Sequence, residues 1–269
     1  MKPASRFGAA LLAVLLSAPG WADAATPPMN GDYRLLLAFP EDGAIVQKGF
    51  FEAGGRFDDD TTGDDIVGGV TVALRYGRDV EAGLFLGAIH RTRDAGADLF
   101  GTTLTEPIST TGMADLSLYG KYRILRSPLD VAVGAVLDLP LADGHSGVTS
   151  GAASGQGFVG LRKAFSSLTL AGHVGIGTAE KARFGDGASE STFMSAGVGL
   201  LIPLAPLWVL ITEADYEGNH FEGEGASARG LVGLDWRPTE NFIVRGGIAV
   251  GLTDAAPDLS LAASLVFHL

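Results

Sequence analysis

The chain has 269 residues, 39 glycines, no cysteine and a formal net charge of −12. Disulfide stapling and lipid attachment through a cysteine are thereby excluded. The acid excess leaves no basic stripe for phosphates, so nucleic acid is excluded as a partner.

Lys2 and Arg6 form a short basic region, and Gly8 to Ala18 an apolar one. Ala22-Asp23-Ala24 follows as an A-x-A cleavage site. The pattern reads as a secretory signal peptide over 1–24, too short for a spanning helix. Residues 25–47 read as a periplasmic N-terminal arm or small plug. Within them, Asp32 to Phe39 fits an extra strand, a plug or a loose arm. No later run approaches the roughly 20 apolar residues of a spanning helix.

From residue 48 onward the chain alternates apolar and polar residues in short segments. About twelve strands are predicted, at 48–58, 68–76, 80–91, 112–124, 129–140, 155–165, 168–178, 192–202, 207–216, 226–237, 242–253 and 259–269. Short turns such as Gly77-Arg78-Asp79 and Arg126-Ser127-Pro128 alternate with longer polar loops. The longer ones run Asp59 to Val67, Thr92 to Thr111, Ala142 to Ser154, Ala179 to Ser191, Glu217 to Gly225 and Asp254 to Asp258. The predicted fold is all-β: a transmembrane antiparallel up-and-down β-barrel spanning 48–269, with short periplasmic turns and longer extracellular loops. Gly199 to Ile211, interrupted by Pro203 and Pro206, reads as two strands joined by a tight turn. Gly155-Gln156-Gly157-Phe158-Val159-Gly160 matches a dinucleotide fingerprint, but a loop precedes it and a strand follows, which is the wrong context.

The last strand is apolar at every second position from Leu259 to Leu269. Such an edge needs a partner, which the first strand near Phe50 to Phe57 supplies if the barrel closes. The same pattern resembles the signal read by the outer-membrane insertion machinery, with Leu269 in place of the usual terminal aromatic. Tyr76, Tyr122, Phe165, Trp208, Trp236 and Phe242 fall on the predicted lipid face near short turns and read as a periplasmic aromatic girdle.

The candidate lumen and selectivity residues are Asp115, Lys121, Arg123, Asp130, Asp138, Glu213, Asp215, Arg229, Asp235 and Arg245. Glu52, Arg56, Arg75, Glu81, Arg91, Arg162 and Arg237 face the same way. Interspersed signs fit either a rigidifying salt-bridge network or a polar path that sets selectivity. The acidic loops (Asp58, Asp59, Asp60, Asp64, Asp65; Glu217, Glu222, Glu224) lack EF-hand spacing and read as solvated charge. His90, His145, His173, His220 and His268 fall in no metal or nucleophile motif. No catalytic residue, metal or cofactor is expected, and the protein is not read as an enzyme.

Gly112-Met113-Ala114-Asp115-Leu116-Ser117-Leu118-Tyr119-Gly120-Lys121-Tyr122-Arg123, an apolar strand to Leu139-Pro140 and a Gly/Ser-rich loop together resemble the family named for the MetA pathway of phenol degradation. The resemblance is best from about Gly112 to Thr178. It implies an outer-membrane barrel transporter, distantly similar to fatty-acid and aromatic-hydrocarbon channels, with Asp115, Lys121 and Arg123 as lumen positions. Those channels carry a long N-terminal plug, for which Ala25 to Gln47 leaves little room. The functional expectation is a porin-like channel in the outer membrane of a Gram-negative bacterium. It would contact lipid and pass small solutes, hydrophobic or aromatic compounds among them. The other reading is a closed structural or surface-binding barrel without transport. Occlusion of the lumen separates the two.

Overall fold

The computed structural model describes residues 33–38, 40–185 and 191–269. The expected signal peptide and residues 25–32 of the arm lie outside them. The strands are β1 (Phe50–Asp60), β2 (Gly63–Tyr76), β3 (Val80–Arg93), β4 (Asp98–Leu99), β5 (Thr102–Thr103), β6 (Ile108–Met113), β7 (Leu116–Leu125), β8 (Asp130–Leu139), β9 (Ser154–Ala164), β10 (Thr169–Ala179), β11 (Ser191–Ala205), β12 (Trp208–Glu217), β13 (Ser227–Thr239), β14 (Phe242–Gly251) and β15 (Leu259–His268).

β4 and β5 form a small hairpin of their own, and all other strands belong to one antiparallel sheet. β6 and β7 pair with successive stretches of β3 and together make one barrel strand, interrupted at Ala114-Asp115. The sheet therefore closes with twelve strands. Its seam is the pairing of β1 with β15, from Phe50↔His268 to Asp59↔Leu259. The partner of the last strand is thus the one that its alternation called for.

Period-2 alternation sorts the residues between two surfaces. On β15, Leu261, Leu265 and Phe267 are exposed, while Ser260, Val266 and His268 are buried. Val174 and Ile176 on β10 and Ile248 and Val250 on β14 are likewise exposed. An apolar outward face around a closed sheet suits lipid, because the ladder leaves no unpaired edge.

One expected long loop is absent. Asp59 to Val67 is a tight hairpin, with β1 and β2 paired out to Asp60↔Gly63. Its acid run folds as strand because Arg91 and Arg93 of β3 and Arg56 of β1 neutralise it. Arg91 Nη2 lies 2.8 Å from Asp65, Arg93 Nη1 2.8 Å from Asp65, and Arg56 Nε 2.7 Å from Asp58.

The loops at the opposite end from the short turns fold over the bore. Leu99, Leu104 and Ala97 pack with Phe100, Ile108 and Phe184, and Phe221 packs with Ala152, Ala179 and Ala182.

Candidate functional site

The site is the bore. Residues 33–38 and 40–46 lie inside it at the short-turn end, and Tyr33, Arg34, Leu35, Asp42 and Val46 are buried there. The described part of the short arm, here called the plug, therefore occupies this end of the bore. Apolar packing seats part of it: Tyr33, Leu35 and Ala38 lie against Ala171, Leu201, Val209 and Ile211. A close backbone approach seats another part. A Cβ on Gly160 would collide with the Glu41 carbonyl, and one on Gly43 would come within 2.8 Å of Leu161. Only glycine at both positions allows the plug to run against β9.

Charge supplies the remaining contacts. Glu81 of β3 accepts from Arg34 Nη2 (2.6 Å), the Val46 amide (2.7 Å) and the Tyr119 hydroxyl (3.0 Å). Lys121 Nζ stands 3.4 Å from Glu81 and donates to the carbonyls of Pro40 (3.1 Å) and Asp42 (2.9 Å). Arg162 Nη1 donates to Asp42 Oδ2 and to the Tyr33 carbonyl, both at 2.8 Å. Glu213 accepts the Leu36 and Leu37 amides. These backbone groups have no sheet partner, so wall side chains satisfy them, as burial requires.

The plug's ionisable groups are shifted accordingly. Burial alone would raise Asp42, but Arg162, Arg34 and Lys121 outweigh it and hold the carboxyl below its ordinary value. Burial would lower Arg34, and Glu81 and Asp42 reverse the direction. Glu41 has no such cation in contact. Burial pushes it up to about 7; Asp215 adds to the rise and Lys121 opposes it.

Above the plug the bore holds two cavities. One, of about 470 Å³, has Leu36, Leu37 and Pro40 as its floor and Phe85, Val136 and Leu231 in its walls. The other, of about 450 Å³, lies under the long loops and is lined by Phe100, Phe221, Asp115, Asp138, Glu217 and His220 among others. Val67, Phe85 and Ser117 line both, so the two adjoin.

All ten lumen candidates lie on the bore side, but at different levels and in different roles. Lys121 and Glu213 hold the plug. Asp235 receives Arg245 through two bonds of 2.9 Å, and Arg245 stands 3.8 Å from Glu52. Asp215 sits 3.7 Å from Arg229 and 3.8 Å from His173. Arg123 lies at the short-turn rim, 3.2 Å from Asp79 and 3.8 Å from Asp130. Of the ten, Asp115 and Asp138 line the upper cavity and Arg245 the lower one; Asp138 accepts from the hydroxyls of Ser117 and Ser154. Tyr76, Tyr122, Phe165, Trp208 and Trp236 are exposed on the outward face beside short turns. Sequence reasoning did not single out Arg34, Asp42 and Tyr119. The available signal was three charges, Arg34, Glu41 and Asp42, within the otherwise largely apolar stretch from Tyr33 to Val46.

No family model and no curated protein matches the sequence. Solved structures do match in fold. The COG4313 outer membrane channel from Pseudomonas putida F1 superposes with a TM-score of 0.65 at 9% identity, over 85% of this chain and 98% of that one. The NanC porin gives 0.55 at 10% identity, over 81% and 100%. The KdgM porin gives 0.53 at 8% identity, over 82% and 99%. At these identities the likeness concerns the fold. Together with the closed sheet and the apolar outward face, it defines a bacterial outer-membrane β-barrel.

Proposed function

We propose that this barrel is an outer-membrane channel for small solutes, closed at rest by residues 33–38 and 40–46. The observation that carries the reading is the adjoining pair of cavities, the lower of which ends on a peptide held by side chains rather than on the barrel wall. A floor of that kind can be displaced without breaking the β-sheet. The short turns would face the periplasm, so the plug would move toward or away from the periplasmic mouth. The lower cavity is walled largely by apolar side chains with a few polar groups, the usual character of a small-molecule site. That favours compact hydrophobic or aromatic solutes, as the MetA-pathway resemblance implies. The name of the Pseudomonas putida structure, an outer membrane channel, agrees with the reading.

The occluded floor also favours the second reading, a closed structural barrel, so the decisive test releases the plug. The full chain and its Arg34→Gln/Glu81→Gln variant would be compared in planar bilayers and in liposome-swelling assays with small solutes. Low conductance in the parent and a clear rise in the variant are expected. Silence of both, with the variant still folded by heat-modifiable migration, would leave the closed barrel standing.

A further inference from the structure

Three short turns stand side by side at one end of the barrel, joining β2 to β3, β7 to β8 and β9 to β10. The strand pairings fix what they present outward. Tyr76 and Tyr122 both pair with Val80, so their rings flank β3 at one level, and they are 58% and 52% exposed. Leu125, Val131 and Leu161 form one row across β7, β8 and β9. Arg126 and Lys163 lie just beyond that row, about two strand spacings or ~10 Å apart. Lys163 is on the outward face, because its neighbour Arg162 reaches into the bore to Asp42. Its ammonium sits 5.1 Å from the centre of the Phe165 ring. Arg78 is exposed in the first of the three turns.

Among the described residues, no carboxylate pairs with Arg78 or Lys163. The acid nearest in sequence, Asp79, is taken by Arg123 and Arg126 at 3.2 and 2.7 Å. An unpaired lysine on a lipid-facing strand is costly in hydrocarbon. It is favourable where its stem lies along apolar surface and its head meets anionic headgroups.

We infer that this sector of the rim binds an anionic phospholipid. The phosphate is held by Lys163, with Arg126 about two strand spacings away and Arg78 beyond it extending the positive rim. The acyl chains lie on Tyr76, Tyr122, Ile124, Leu125 and Phe165, all of them exposed. That apolar surface runs directly into the cations, which assigns the site to a lipid rather than to free phosphate. The inference does not depend on transport through the bore.

Native mass spectrometry of the detergent-purified full chain tests it, with phosphatidylglycerol, phosphatidylcholine and glycerol 3-phosphate as probes. Phosphatidylglycerol should bind on the order of tenfold more tightly than phosphatidylcholine. Arg78→Gln/Lys163→Gln should remove that preference while heat-modifiable migration stays normal, and Lys181→Gln at the far end should keep it. Equal binding of the two lipids would overturn the inference. So would a preference that survives in the double variant, or glycerol 3-phosphate binding as tightly as phosphatidylglycerol.

Discussion

Glu81 has the most to lose from a single substitution. It is fully buried between Arg34 and Lys121 and also accepts from Tyr119 and the Val46 amide. Removing one partner of a buried ion pair costs about 3–5 kcal/mol, since the other charge stays buried and unpaired. Glu81→Gln should therefore move the plug equilibrium toward the open state by roughly two to four orders of magnitude. Single-channel open probability would show it; an unchanged open probability would mean that the plug does not move.

Two plug carboxyls titrate in opposite senses. Asp42 is held below its ordinary value, so it favours the seated plug above an ordinary carboxylate pKa of about 4. That contribution fades as pH falls through its depressed value. Glu41 is pushed up to about 7, so the seated state prefers it protonated, and the preference is lost as pH rises from about 4.5 through 7. Conductance should be lowest in mildly acidic solution and should rise on both sides. Glu41→Gln should abolish the alkaline rise alone. An alkaline rise that persists in this variant would place the sensor elsewhere.

Among the elements, the plug depends on one glycine of the barrel wall. Gly160 of β9 faces the Glu41 carbonyl at a separation that admits no side chain. Gly160→Val should keep the ladder of β9, since valine favours strands. It should nevertheless force residues 40–43 off the wall. We expect normal heat-modifiable migration with faster proteolysis of the N-terminal arm; an arm as protected as in the parent would refute the close approach as a seating device. The strands themselves were legible in the sequence, because one face meets lipid and the other the bore, and period 2 records that difference directly. The β1–β15 seam was legible for the same reason. The first hairpin was not: its acids look like a solvated loop until Arg91 and Arg93 are placed beside them by β3. The plug was legible only as a short arm of undecided role. What holds it comes from β3, β7, β9 and β12, and no local pattern reports such distant contacts. The same limit applies to Lys121, Arg245 and Asp235. Their inward direction was readable, but their pairing into fixed networks was not: of the ten candidates Asp115, Asp138 and Arg245 line a cavity, and Arg245 does so already bound to Asp235.

For the whole molecule, the question is which charges a solute would meet. Each arginine lining the two cavities has a carboxylate within reach: Arg56 has Asp58, Arg91 has Asp65 and Arg245 has Asp235. The carboxylates fare differently. Asp138 is held by two serine hydroxyls and Glu224 by the His220 and Phe221 amides, all neutral donors that leave the charge intact. Glu217 has His220 at 2.8 Å. The two cavities are thus net acidic, and an acidic bore with low-dielectric walls concentrates cations. Once the plug is released by Arg34→Gln/Glu81→Gln, the reversal potential under a potassium chloride gradient should lie on the cation side. Adding Asp115→Asn and Asp138→Asn should move it toward zero, because both line the upper cavity away from the plug. Adding Lys121→Gln should leave it nearly unchanged, because Lys121 is buried among plug contacts and lines neither cavity. A reversal potential that followed Lys121 rather than Asp115 and Asp138 would mean that ions take a route past the plug's seat instead of through the two cavities.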